Sequence, residues 1–124
     1  MKILLIDDDK DLCQLTKIAL LKNGYEVAAF HGAEEGINDA RKSKPNLILM
    51  DVMLPGLSGA EAVRILQSDS SLRNVPVIFL TALVTGEETK FMNVGLNISG
   101  LNYRTLGKPY NIDKLLEVVK NNAK

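Results

Sequence analysis

Leu47-Ile48-Leu49-Met50-Asp51-Val52-Met53-Leu54-Pro55-Gly56 sets four apolar residues directly before one carboxylate and a turn dipeptide. An unbroken apolar run of this length predicts a strand covered on both faces, as in a parallel sheet. Pro55-Gly56 fits a type II turn, with Pro presetting φ at the second position and Gly supplying φ > 0 at the third. Asp51 therefore falls at the carboxyl edge of a buried strand, where open α/β sheets place their ligands. The plainer role for such an Asp is to cap a helix or close a turn.

Outward from this stretch the same grammar repeats. Lys2 to Ile6 is an apolar run that stops at Asp7-Asp8-Asp9. A helix follows from Asp9 or Lys10, with Leu12, Leu15, Thr16, Ala19 and Leu20 on one face, and Asn23-Gly24 stops it. Tyr25 to Phe30 reads as the second strand, and Ala33 to Lys42 as a short polar helix with Ile37 and Ala40 inward. After the third strand, Asn46 to Met50, Ser58 caps a helix over Gly59 to Gln67 with Ala62, Val63 and Leu66 inward. Val77 to Leu80 is the fourth strand and ends at Thr81-Ala82. Thr85-Gly86-Glu87-Glu88 fits a capping box and predicts a helix from about Gly86 towards Gly95. Tyr103 to Leu106 is the fifth strand, and Asn111 caps a last helix with Ile112, Leu115, Leu116 and Val119 as its apolar face. Strands alternating with helices, joined by short right-handed crossovers, predict one α/β domain over residues 1–124 with helices on both sheet faces.

Composition narrows the function. The chain has 124 residues, 46% of them hydrophobic, and a formal net charge of zero, so no bulk charge marks it for nucleic acid or an anionic membrane. A single cysteine excludes an internal disulfide and a cysteine-based metal cluster. Cys13 lies in the first helix and is expected to be a small buried hydrophobe. No apolar run approaches the roughly 20 residues of a membrane span. The chain opens directly into a strand without a signal-peptide layout, which suggests a cytoplasmic protein.

In a parallel sheet the ends of all the strands meet at one edge. Four of those ends carry Asp7-Asp8, Asp51, Thr81 and Lys108. Three carboxylates brought together repel and call for a cation. Oxygen-only ligands select a hard ion, and Mg²⁺ is the abundant one that also binds phosphate. His31, the only histidine, is expected in a surface loop. A carboxylate beside Mg²⁺ can attack phosphorus to form an acyl phosphate. The Thr81 hydroxyl and the Lys108 ammonium would then stabilise the phosphoryl oxygens.

The chain resembles a response-regulator receiver domain, the CheY-like family of two-component signalling. The resemblance covers essentially the whole chain. It rests on the acidic pair after strand one, Asp-x-x-x-Pro-Gly after strand three, Thr-Ala after strand four and Lys-Pro after strand five. It implies a flavodoxin-like, doubly wound, five-stranded parallel sheet of order 2-1-3-4-5. It further implies that Asp51 is the phosphoacceptor, that Asp8, Asp51 and the backbone carbonyl of Met53 bind Mg²⁺ directly, and that Asp7 acts through water. Thr81 would take a phosphoryl oxygen, Ala82 would leave space for the group, Lys108 would pair with it, and the bond before Pro109 would be cis. The donor would be a histidine kinase or phosphotransfer protein. The output would be a downstream protein or a missing C-terminal output domain, with no direct nucleic-acid or membrane binding.

Departures from the family pattern are concentrated late in the chain. Between Thr81 and Lys108 it is about five residues longer than is typical, and the surplus falls in Leu96 to Asn102, as an altered partner surface or a tolerated insertion. Where the family often has an aromatic switch residue this chain has Thr105, with Tyr103 two positions earlier on the same strand face. Met53 and Leu83 occupy positions that tune hydrolysis, and neither can hydrogen-bond an attacking water, which implies a long-lived phosphate. Two other functions compete. One is a pseudo-receiver that binds without phosphorylation, disfavoured because every acceptor residue is present. The other is a Mg²⁺-dependent aspartyl phosphatase, disfavoured because Met53 stands where its second Asp would be. The first reading makes the chain a switch and not a turnover enzyme.

Overall fold

The computed structural model describes residues 1–54, 56–81, 96–98, 101–108 and 110–123. The elements run β1 (Lys2–Ile6), α1 (Lys10–Lys22), β2 (Glu26–Phe30), α2 (Ala33–Ser43), β3 (Leu47–Asp51), β4 (Met53–Leu54) and β5 (Leu57–Ser58). They continue with α3 (Gly59–Ser68), β6 (Val77–Thr81), β7 (Leu96–Ile98), β8 (Leu101–Gly107) and α4 (Ile112–Asn122). The helix expected over 86–95, with its capping box, lies outside the described residues. So do Ala82, Leu83 and Pro109.

The main sheet has the order β2-β1-β3-β6-β8-β7. The first five of these strands are mutually parallel. Counted among themselves they have the expected order 2-1-3-4-5. The sixth is an addition. β7 pairs antiparallel with β8, from Leu96 opposite Tyr103 to Ile98 opposite Leu101. The surplus residues before the last parallel strand therefore lengthen the sheet by a hairpin partner, and β8 begins two residues earlier than its apolar pattern indicated.

The alternation along each strand sorts the core into two layers. Leu4, Ile6, Ile48, Met50 and Phe79 face α2 and α3, where they meet Ile37, Ala40, Ala62, Val63 and Leu66. Ile3, Leu5, Leu47, Leu49, Ile78 and Leu80 face the other way, towards Cys13 and Leu20 of α1 and Leu115, Val118 and Val119 of α4. β1 and β3 are buried along nearly their whole length, which is why they read as unbroken apolar runs. Each large side chain removed from water in this way contributes about 1.5–3 kcal/mol.

Two apolar faces match the expected ones except at single positions. On α1 the buried residues are Cys13, Thr16 and Leu20, whereas Leu15 is 62% exposed. Thr16 and Leu20 of the expected face are buried as read, and so is Cys13; the departure is Leu15, at the edge of the stripe. On α4 Val118 is buried and Ile112, in the first turn, is exposed.

Helix ends follow their local chemistry. Asp9, Ser58 and Asn111 cap α1, α3 and α4 by accepting from backbone N–H groups of the first turn. Gly24 ends α1 at φ +88° and Gly56 closes the β4–β5 ribbon at φ +77°, the region where a Cβ is penalised. Gly36 in α2 answers to packing. A Cβ there would lie 2.4 Å from Ile6 Cδ1 and 2.6 Å from Ile6 Cγ1. Glycine lets α2 press onto the end of β1, one residue before Asp7.

Candidate functional site

Three of the four parallel strands that carry a candidate residue, β1, β3 and β8, are continued past their ends by a backbone bond to a neighbouring strand. The Asp7 N–H donates to the Phe30 carbonyl (3.0 Å), the Val52 N–H to Leu80 (3.0 Å) and the Lys108 N–H to Thr81 (2.6 Å). These bonds fix the strand ends in one row, with Asp7, Asp51, Thr81 and Lys108 following in the order of the strands. Two strand spacings, roughly 10 Å, separate β8 from β3. Only a long side chain spans that gap, and Lys108 does so.

The Lys108 ammonium donates to Asp51 Oδ2 at 3.0 Å and lies 2.6 Å from Asp7 Oδ2. Asp7 is 1% and Asp51 8% exposed, while Asp8 is exposed. One oxygen from each of Asp7, Asp8 and Asp51 lies within 4.8 Å of the others. Thr81 is buried beside them at the end of β6. Asp7 is aimed from two directions. Its Oδ1 accepts from the Asp9 N–H at 3.0 Å. His31 Nδ1 lies 3.0 Å from its carbonyl oxygen, which can only accept, so Nδ1 carries the proton.

The charge of the cradle is unbalanced. Three carboxylates against one ammonium leave a formal −2. Burial pushes the Asp7 carboxyl above the usual carboxylate range, outweighing the lowering by Lys108 and the Asp9 N–H. Burial pulls Lys108 down, but its bonds to Asp7 and Asp51 and their charges override this and hold the ammonium above its ordinary value. Both groups thus keep protons more tightly than in water, Asp7 through burial and Lys108 through its carboxylate partners. Asp7 Oδ2 is buried and pairs with the Lys108 ammonium at 2.6 Å, and since a carboxylate oxygen accepts more than one bond it retains accepting capacity. An all-oxygen donor set with spare capacity and a −2 charge fits a hard divalent ion such as Mg²⁺.

The sequence matches the response regulator receiver domain family over residues 3–120. The chain belongs to that family.

Among curated relatives of this receiver domain is the Bacillus subtilis protein named uncharacterized transcriptional regulatory protein YkoG, 36% identical over 118 residues. The match takes in 95% of this chain and 49% of YkoG, so the chain spans about half the length of that relative. Vibrio cholerae chemotaxis protein CheY4 has a similar structure, with TM-score 0.81, 26% identity and coverage of 98% of this chain and 97% of that one. The receiver domain of sensor histidine kinase PA1611 from Pseudomonas aeruginosa is 27% identical with TM-score 0.79, covering 98% of this chain and 95% of its own. That structure is described as having a magnesium ion coordinated in the active site cleft.

The remaining candidates are placed as follows. Met53 lies in β4, directly beyond Val52. Tyr103 is 9% exposed, meets Phe79 edge-on at 5.7 Å between ring centroids, and its hydroxyl accepts from Gln67 Nε2 at 2.9 Å. Thr105 is half-buried opposite Phe79. His31 is exposed, as a surface loop residue should be, yet its ring holds the backbone of Asp7. That role was missed; the signal for it was its position at the end of the strand beside β1. Among the described residues no helix is long and apolar enough to cross a membrane.

Proposed function

We propose that Asp51 is the phosphoacceptor of a two-component switch. What supports this most is the single ammonium of Lys108 drawn across the sheet edge onto both Asp7 and Asp51, with Asp8 alongside. A carboxylate oxygen of Asp51 attacks the phosphorus of a phosphohistidine on a histidine kinase or phosphotransfer protein. A P–O bond forms, the P–N bond breaks and the imidazole leaves, giving a mixed anhydride on Asp51. The ammonium of Lys108, already at the Asp51 carboxylate, then pairs with a phosphoryl oxygen, and the Thr81 hydroxyl takes another.

Asp8, Asp51 and the Met53 backbone carbonyl would hold Mg²⁺, with Asp7 acting through water. The ion would supply charge neutralisation of the transferring group and screening among the carboxylates. The protein's own part is to hold Asp51 in line, keep Lys108 within reach and bury Asp7 so that the cradle stays hungry for positive charge. Phosphorylation changes the populations of two states of a protein-binding surface, and a separate target or an output domain reads them. The chain is thus a switch, placed in the cytoplasm, without an external substrate to turn over.

The test is incubation with a small acyl phosphate and Mg²⁺, followed by intact mass and peptide mapping. The expected result is one phosphoryl increment on Asp51, lost in Asp51→Asn and after chelation. Folded, Mg²⁺-supplied protein that remains unmodified at Asp51 refutes the reading.

A further inference from the structure

A second constellation lies behind the cradle, between α1 and the loop from β8 to α4. Thr16 on α1 has none of its surface exposed. Its companions on the buried face, Cys13 and Leu20, are apolar. A hydroxyl in such a layer is costly unless it is hydrogen-bonded. Its partner is the Tyr110 hydroxyl, 2.6 Å away and 94 residues along the chain. The Tyr110 ring packs against the same core layer, and burial raises the pKa of its hydroxyl, which keeps it a neutral phenol.

Tyr110 lies two residues beyond Lys108 and one before Asn111, the cap of α4. The Lys108 N–H is fixed to the Thr81 carbonyl on one side, and the α4 cap fixes the other. Between these anchors Tyr110 is bonded to Thr16. Asp9, the residue that caps α1, holds Asp7 Oδ1 through its N–H. One partner of the Asp7–Lys108 ion pair is thus bonded to the cap of α1, and the other lies two residues from a bond to that helix.

We infer that Tyr110 is a positioning residue: through its hydroxyl bond to Thr16 it seats the Lys108 loop so that the ammonium stays on Asp7 and Asp51. The inference rests on the proposed use of Lys108 in phosphoryl transfer, but the tether belongs to the unphosphorylated protein and is tested there.

The experiment labels the 124-residue chain with limiting amine-acylating reagent in the presence of a chelator. Peptide mass spectrometry then gives the rate at each lysine. Tyr110→Phe keeps the ring and removes the hydroxyl; Thr16→Val removes the partner; Thr16→Ser keeps it. Lys108 should be labelled several-fold faster in Tyr110→Phe and Thr16→Val, with exposed Lys10 unchanged. Thr16→Ser should behave as wild type, and the double variant should be no faster than either single one. The rate of phosphorylation of Asp51 by the acyl phosphate should fall in the same variants. Unchanged protection of Lys108 in Tyr110→Phe and Thr16→Val, with only a lowered melting temperature, overturns the inference and leaves the pair a packing contact. A wild-type chain that takes no phosphoryl group overturns the phosphotransfer reading instead, since labelling of Lys108 decides the tether without it.

Discussion

Replacing Gly36 by alanine tests whether the close seating of α2 on β1 is what the fold needs. The added Cβ would stand 2.4 Å and 2.6 Å from two carbons of Ile6, a side chain with none of its surface exposed. Overpacking of this kind costs about 1–3 kcal/mol. Alanine in a helix interior returns up to about 1 kcal/mol relative to glycine. The net expectation is a loss of about 1 kcal/mol. At about 2.1 cal/mol/K per residue, the 124 residues give an unfolding entropy near 0.26 kcal/mol/K, so the melting temperature should drop by about 4 °C. Ile6→Val, which removes the nearest carbon, should recover part of that loss in the Gly36→Ala background even though it costs about 0.5–1.5 kcal/mol alone. Thermal melts followed by circular dichroism of the four proteins read the cycle. A Gly36→Ala variant that melts at or above wild type, or a strictly additive double variant, refutes the packing argument.

Three further outcomes follow from the site. A carboxyl whose folded pKa is raised contributes stability when protonated, and that contribution is lost as pH rises through the folded value. Asp7 is raised by burial; Asp7→Asn should therefore raise the metal-free melting temperature at neutral pH, by a margin that shrinks on acidification, and a lower melting temperature at neutral pH would sink this. Lys108 is also raised, so its stabilisation is present below the ordinary lysine range and fades as pH climbs through its elevated value. Lys108→Met should flatten that alkaline limb and, by taking the cradle from −2 to −3, tighten Mg²⁺ binding at least about fivefold, the factor for ~1 kcal/mol; calorimetric titration showing weaker binding contradicts it. Tyr103→Phe removes the hydroxyl bonded to Gln67 and should cost about 1 kcal/mol in a urea melt, a figure that no change in midpoint would exclude.

The parallel sheet was legible because burial on both faces leaves a mark that composition cannot hide: β1 and β3 are unbroken apolar runs, each halted by aspartate. The cradle was legible for a related reason, since a parallel sheet brings separated strand ends to one edge. Helix faces were less so. On α1 the pattern placed Cys13, Thr16 and Leu20 inward, as they are, but also Leu15, and only the layer beneath the helix excludes it. The Thr16–Tyr110 bond joined residues far apart in sequence and of ordinary type, so nothing local announced it, and the hold of His31 on Asp7 was signalled only by its place at a strand end beside β1. β7 escaped because three residues are too few to show a period; its identity lies in its pairing with β8.

That pairing changes what the margin of the sheet offers to other molecules. A parallel sheet whose last strand were bare would present the seven-residue length of β8 as a template for a foreign strand. Here the backbone of Leu101 to Tyr103 is already taken up by β7, and the rim beside it is a strand three residues long. Among the described residues the edge that β7 offers is three residues long, and so short an edge is a poor seed for intermolecular pairing.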